Sequence, residues 1–410
     1  MLAELILSRK PPSVSSPYAE WPVESDCSIA YGQDGERGCS LTGGVCAITC
    51  AEGIGLITID TIADKVYAGE RLSSEEGVWL FHYPNLPELA VLANLVRRRK
   101  HPEDVVTYVI GRIVNYTNVC WVRCKFCGFY RKPGEVGGYT LSDDEVLGKV
   151  RELIDAGGSE VLFQGGLNPS LKIDYYERIF SLIMQRYPSA ILHALSPAEV
   201  KYIAHISKLS LRDCIVRLKE VGLHSIPGAG GEILVDRVRN QIAPNKDTTQ
   251  EWLDCMRTAH ELGLGTTASM MFGHVETVED RVEHLIRIRE LQDDTGGFRA
   301  FITWSFQPED TNLPIEKKAS GFDYLRTVAV SRLMLDNVDN LQVSILTQGP
   351  KIAQLALGYG INDFGSVMIE ENVVSAAGSK FILNANEIES LIKSAGYEPR
   401  RRNTRYEYVP

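Results

Sequence analysis

The stretch NVCWVRCKFCGFYRKPG, residues 118–134, sets three thiols, Cys120, Cys124 and Cys127, in a C-x3-C-x2-C run. Thiolates are the preferred ligands of iron-sulfur clusters, and four of them normally complete a cubane. A structural zinc site also takes four protein ligands, usually from paired C-x2-4-C clusters. Here the fourth is missing, since the nearest histidines in sequence are His101 and His193. The run therefore predicts a four-iron, four-sulfur cluster with one iron left open to a small molecule. The rival reading is a chance grouping, or a zinc site completed by a distant ligand.

Such a loop needs a scaffold, and the pattern around it is regular. From residue 104 onward, β-rich runs alternate with amphipathic helical segments, and Gly or Pro marks the joins. VVTYVIG (105–111) reads as a strand. After the cysteines, Ser142 and Glu145 have capping-box spacing, and Val146, Val150 and Leu153 line one helix face until Gly157. About seven or eight such units, running to LQVSIL, imply parallel strands with right-handed crossovers. An α/β fold follows: a TIM-type (β/α) barrel over residues 104–349 is expected, with an open doubly wound sheet as the alternative, because periodicity does not show whether a sheet closes. A helical lead-in is expected over 61–103, a C-terminal extension packed on the barrel over 350–410, and an irregular Ser-, Gly- and Cys-rich segment over 1–60.

Composition narrows the class. With 410 residues, 44% hydrophobic and 23% charged, the chain can bury a large core. Its formal net charge of -10 argues against nucleic-acid binding, which needs a basic face. No apolar stretch approaches the roughly 18 residues of a membrane span. The opening MLAELILSRK reverses the order of a secretory signal, so a cytoplasmic location is expected. In that compartment cysteines serve as ligands or buried thiols rather than disulfides. Cys214 and Cys255 fall on apolar helix faces and read as core thiols. Cys27, Cys39, Cys46 and Cys50, spaced C-x11-C-x6-C-x3-C, are four thiols that could hold an auxiliary cluster or zinc, although they lack the regular paired spacing of a metal site.

The cysteine run on the loop after the first strand, with QGG (Gln164, Gly165, Gly166) ending the second, resembles the radical S-adenosylmethionine superfamily. The ordered blocks NYTNVC, CKFCGFYRKPG, GGYTLS, QGGLNPSL, HALSPAE, SIPGAGGEILVDRVR, TTASMMFGHVET, HLIRIRELQDDTGGF and NDFGSVMIEENV resemble, more narrowly, the cyclic dehypoxanthine futalosine synthases of the futalosine route to menaquinone. The likeness runs from about residue 66 to the C-terminus.

That resemblance implies one 4Fe-4S cluster on the three cysteines, with the amine and carboxylate of S-adenosylmethionine on its open iron. It also implies a reducing partner such as flavodoxin or ferredoxin. A deoxyadenosyl radical would take a hydrogen from C4' of a nucleoside-benzoate substrate, and the carbon radical would close onto the benzoate ring. Gln164, Gly165 and Gly166 are then cofactor-binding, glycine permitting close backbone approach. Ser196 and Glu232 are expected to meet the cofactor's ribose or carboxylate, although a helix cap or a surface carboxylate would explain them equally. Thr303, Gln307, Ser344, Thr347 and Gln348, at strand ends, are the expected substrate contacts. His274 is the expected acceptor of the proton lost on rearomatisation.

Aminofutalosine synthase and deazaflavin-type radical synthases share the cofactor motif and are the near alternatives. A non-catalytic iron-sulfur or zinc-binding barrel is the distant one. The chain departs from the family pattern where GRIVNYTN replaces DRNINYTN, so Gly111 stands for an acid and Ile113 for a polar residue; Ala229 stands for a glycine.

Overall fold

The computed structural model describes residues 56–369, 372, 381 and 383–409. Cys27, Cys39, Cys46 and Cys50 lie outside the described residues, as does the Ser- and Gly-rich segment around them.

Eight parallel strands close a barrel: β1 (Val105–Val114), β2 (Glu160–Phe163), β3 (Ile191–Ala194), β4 (Leu223–Ile226), β5 (Gly265–Phe272), β6 (Phe298–Ser305), β7 (Asn340–Gln342) and β8 (Asp363–Met368). Closure is explicit, because β1 pairs with β2 through Gly111 to Val114 and with β8 through Thr107 to Gly111. The open-sheet alternative is thereby removed. A ninth strand, β9 (Glu398–Arg401), pairs in parallel with the first four residues of β1.

The helices form where the pattern predicts amphipathic faces. Asp143–Asp155 begins at Ser142, whose hydroxyl accepts from the Glu145 amide while Glu145 accepts from the Ser142 amide, closing a capping box. Its Val146, Val150 and Leu153 are fully buried, and Gly157, at φ +74°, carries the chain out of the helix. Cys214 and Cys255 are buried within Leu211–Glu220 and Thr249–Glu261, as core thiols. Among the described residues, three helices, Ile59–Ala68, Ser74–His82 and Leu86–Lys100, precede β1.

One boundary differs from expectation. LQVSIL is strand only to Gln342, and Ile345–Ala356 follows as a helix containing a break at Gly349. The closing strand is DFGSVM, beyond the expected barrel limit at residue 349. Its polar letters hid it. Asp363 is buried to face a partner, Gly365 takes φ +72°, and the register slips there against Thr107 and Val109.

That partner is Arg402, just past β9. Its Nε and Nη2 reach the two Asp363 oxygens at 2.5 and 2.8 Å, and the Tyr406 ring lies 3.9 Å from its guanidinium carbon. Asp363 also accepts from the Thr107 hydroxyl and the Gly365 amide. The pair thus ties the C-terminal turn to the strand that closes the barrel. Among the described residues no helix is long and apolar enough to cross a membrane.

Arg402→Ala would strand the Asp363 carboxylate in a buried site. We expect a loss of about 3–5 kcal/mol of unfolding free energy, read by urea titration. A loss below about 1 kcal/mol would show that the pair does not hold the closure.

Candidate active site

β1 runs out at Val114, and the next regular element begins at Asp143. The irregular span between them is held by named bonds. Asn118 donates to the Gly137 carbonyl and accepts from the Tyr139 amide, while its own carbonyl accepts from the Arg131 amide. Arg131 in turn accepts from the Cys120 amide at 2.8 Å, and the Cys127 amide turns back to the Cys124 carbonyl at 3.2 Å. Lys125 is fixed from both sides, its amide to the Ile242 carbonyl and its carbonyl to the Asn312 amide. The turn after β2 presses on this loop: a Cβ on Gly166 would collide with the Val119 carbonyl, and one on Gly165 would lie 2.9 Å from the Thr117 carbonyl. Only glycine admits that approach.

The three thiols line the mouth of one cavity of about 430 Å³. Burial pushes the Cys124 and Cys127 thiols up, and the Lys246 ammonium opposes the shift at both. Among the described residues, no three His, Cys, Asp or Glu side chains gather round a point that would hold a metal ion. Three cysteines on one loop are one ligand short of a structural zinc site and match the number that a cluster with one open iron would use.

Around the mouth stand two buried networks. Glu199 accepts from the Gly165 amide and the Tyr116 hydroxyl, both at 3.0 Å, and from the Ser196 amide and hydroxyl, both at 2.7 Å. Burial raises its carboxyl, and those four donors oppose the rise. Ser196 lines the cavity but also caps the helix Pro197–Ser207, so its hydroxyl already serves a structural bond.

In the second network Glu232, at a left-handed φ of +31°, pairs with Lys246 at 2.9 Å. Burial works against the Lys246 charge, yet Glu232 and the Cys124 sulfur keep its pKa raised. Arg239 donates to the Gly230 and Gly231 carbonyls and to Asp247, so the GAGGE loop is stapled from behind.

Of the expected site residues, Cys120, Cys124, Cys127, Gln164, Gly165, Gly166, Ser196, Glu232, Ser344 and Thr347 line the cavity. Four do not. Thr303 is buried behind β6 against the Tyr324 hydroxyl, while its neighbours Ile302 and Trp304 face the lumen. The strand repeats every two residues, so choosing the wrong one of two neighbours inverts the face. Gln307 and Gln348 both donate to the Ser305 hydroxyl and brace the loop behind that wall.

His274, the expected proton acceptor, does not line the cavity. Its Nε2 donates to the Met271 carbonyl at 2.9 Å, and its Nδ1 accepts from the Val275 amide at 2.7 Å. Burial lowers its pKa, and both ring nitrogens serve the bend after β5.

Sequence reasoning missed the far end of the cavity, where Glu160, His193, Ser366, Arg402, Thr404 and Tyr406 meet. Burial, with Arg402 and Arg299, pushes His193 down to about 3, so the ring is neutral. Gly111, the missing acid of the family pattern, pairs in register with Glu160. A Cβ there would strike the Ser366 hydroxyl and lie 3.2 Å from Glu160 Oε1. An acid is thus present at this level after all, one strand over. Glu199 had a readable signal, the S-x-x-E spacing of SPAE; the tail residues had none.

Comparison with known proteins agrees with this geometry. Residues 114–288 match the radical SAM superfamily, and residues 295–410 match the CofH/MqnC C-terminal region. A protein of Halalkalibacterium halodurans named cyclic dehypoxanthine futalosine synthase is 46% identical over 353 residues, covering 86% of this chain and 95% of its own. An aminodeoxyfutalosine synthase of Thermus thermophilus is 41% identical over 355 residues, covering 85% and 95%. The crystal structure of methylornithine synthase shares the fold, with a TM-score of 0.66 at 17% identity over 83% of this chain and 97% of that one.

Glu199→Ala would leave the Gly165 and Ser196 amides without the carboxylate they share, beside the thiols. Each such group costs about 1–3 kcal/mol. A lower thermal midpoint is expected, with S-adenosylmethionine affinity of the cluster-loaded protein weakened about tenfold and partly restored in Glu199→Gln. Unchanged affinity in a folded Ala variant would remove Glu199 from the cofactor turn.

Proposed function

The chain belongs to the cyclic dehypoxanthine futalosine synthase family of radical S-adenosylmethionine enzymes, and from that premise we propose that it converts dehypoxanthine futalosine to cyclic dehypoxanthine futalosine in menaquinone biosynthesis. The reaction moves one hydrogen atom from ribose C4' into 5'-deoxyadenosine and joins C4' to a benzoate ring carbon. That ring carbon's hydrogen is released as a proton with one electron, which the cluster would take back, so the product is two hydrogens lighter. The observation that carries the proposal is one continuous cavity joining the three-thiol loop, the glycine turn and a lumen large enough for a nucleoside-sized molecule.

Cys120, Cys124 and Cys127 would hold three irons of a 4Fe-4S cluster, leaving the fourth for S-adenosylmethionine. When bound, the two together supply a 5'-deoxyadenosyl radical, which takes hydrogen from an unactivated C–H bond. The chain's own task is geometry. The Gln164–Gly166 backbone lies against the cysteine loop and would receive the cofactor's amine, with Ser196 and Glu232 as contacts for its ribose and carboxylate. Below them the walls are largely apolar, including Ile113, Leu162, Ile302, Trp304 and Phe364, which would limit water around a reactive carbon centre. Ile113, polar in the family pattern, contributes to that wall. Holding C4' between the adenosyl carbon and the ring favours closure over quenching. Ser344 and Thr347, linked by a 3.0 Å hydrogen bond, present hydroxyls to the substrate from the β7 side. A reduced flavodoxin or ferredoxin in the cytoplasm is the proposed source of electrons.

The deciding experiment incubates the anaerobically reconstituted protein with S-adenosylmethionine, a strong reductant and dehypoxanthine futalosine, and weighs the products. A product two hydrogens lighter than the substrate is expected, with 5'-deoxyadenosine, and neither with Cys124→Ala. Deoxyadenosine without the lighter product would keep radical chemistry and overturn the substrate. If the enolpyruvyl benzoate that aminofutalosine synthase uses were consumed instead, the reaction would be reassigned to that enzyme.

A further inference from the structure

The floor of the cavity, opposite the thiols, is polar in a way that the chemistry at the mouth does not require. Glu160, Leu162 and Gln164 line one wall at two-residue spacing, so β2 itself carries the wall from floor to mouth. The C-terminal turn then crosses the N-terminal ends of the strands. The Arg402 amide bonds the Tyr108 carbonyl, and the Thr404 hydroxyl donates to Glu160 Oε2 at 2.9 Å. Tyr406 lines the cavity on one side and a second hollow, beside Lys100 and His101, on the other. The tail is thus the partition that closes the lumen from below.

The chemistry of that partition is selective. Its cation, Arg402, is already bound through both arms of its fork to Asp363 and covered on one face by the Tyr406 ring. Arg299, the other cation near this end, donates to the Thr404 carbonyl at 3.4 Å and does not line the cavity, so an incoming carboxylate would face the Glu160 carboxyl with no unpaired cation among the described lining residues. An apolar ring would leave buried groups unanswered: the Tyr406 hydroxyl has no hydrogen-bond partner, and Glu160, which lines the cavity, has a second carboxyl oxygen beyond the one that Thr404 occupies. His193, bonded through Nδ1 to the Ser225 hydroxyl at 2.6 Å, adds a neutral ring to the same floor. Groups that both donate and accept suit all three, and hydroxyls are such groups.

We propose that this floor is the subsite for the hydroxyls of the substrate's pentose, whose C4' edge is turned up toward the thiols, with Glu160 accepting from one ring hydroxyl, Tyr406 donating to another, and the carboxylate-bearing ring held elsewhere. The assignment rests on the substrate proposed above. It makes Glu160 and Tyr406 specificity residues supplied by the start of β2 and by the last turn of the chain.

The test is equilibrium binding to the cluster-loaded protein with S-adenosylmethionine and no reductant. Dehypoxanthine futalosine is compared with analogues lacking the 2'- or the 3'-hydroxyl, on wild type, Glu160→Gln and Tyr406→Phe. Tyr406→Phe removes an atom without a partner, so its thermal midpoint should stay within error of wild type. Each variant is expected to weaken the parent about tenfold while binding one of the two analogues as wild type does. Unchanged affinity for the parent overturns the subsite, as does an equal loss across parent and both analogues, which would mark a purely structural effect. If 3-acetylbenzoate competes in wild type and ceases to compete in the variants, the ring end occupies the floor and the assignment is reversed. Absence of saturable binding of the parent to wild type removes the substrate and the subsite together. Wild-type turnover with unaltered variant binding removes the subsite alone.

Discussion

The active site depends on one close approach between two backbones. The turn that ends β2 and the loop that carries the thiols touch at Gly166, where any side chain would occupy the space of the Val119 carbonyl and the Cys120 Cβ. The cysteine loop has no regular structure of its own, so its position relative to the barrel has to come from contacts of this kind. The Gly166 amide donates to the Thr117 carbonyl at 2.9 Å, and the Trp121 amide donates to the Leu167 carbonyl at 3.3 Å, so the contact is bonded on both sides of the glycine. A metal site on a loop is only as accurate as the shell that supports it. Here that shell is the second strand of a closed sheet.

Closure imposes a second constraint, because irregular backbone facing a lumen must find partners for its amides and carbonyls. Buried charged side chains supply them. Glu199 satisfies the glycine turn from below, and Arg239 satisfies the Gly230 and Gly231 carbonyls from behind. Asp363 and Arg402 do the same where the last strand kinks. These groups are expensive to bury singly and acceptable in satisfied networks, which is why each comes with several hydrogen bonds. Lys246 and Glu232 differ, since their pair lines the cavity and lies close enough to Cys124 to influence its charge.

What the sequence disclosed follows the range of the forces involved. The cysteine spacing, the capping box at Ser142, the buried faces and the glycine turn are local, and each is visible within a few residues. The choice of Thr303 over Trp304 failed because a short strand in a closed barrel has buried residues on both faces, so alternation does not say which face is the lumen. His274 looked like a titrating group at a strand end, but the folded bend takes up both of its nitrogens. The strand DFGSVM was hidden by polar residues whose partners lie 39 positions later for Asp363, and 257 positions earlier for Ser366 in its pairing with Val109. No window along the chain contains both halves of those interactions.

The two ends of the cavity come from different parts of the polypeptide. The thiols, the glycine turn and the Glu232 loop all precede residue 288 and surround the mouth, where the chemistry common to the superfamily takes place. Ile302, Trp304, Ser344, Thr347, Phe364 and Ser366, with the tail residues Arg402, Thr404 and Tyr406, follow residue 295 and form the opposite wall and, together with Glu160 and His193, the floor. Under the proposed function, radical generation would need the first set to be nearly invariant in geometry, because hydrogen transfer between held reactants leaves little freedom in distance. Substrate choice requires only that the second set match a different molecule. A barrel whose closing strand and plug come from the end of the chain lets that second set change with little disturbance to the first. Related enzymes of this fold can then share a mouth while acting on different substrates, and Glu160, on the early strand yet bonded to Thr404 of the tail, stands where the two sets meet.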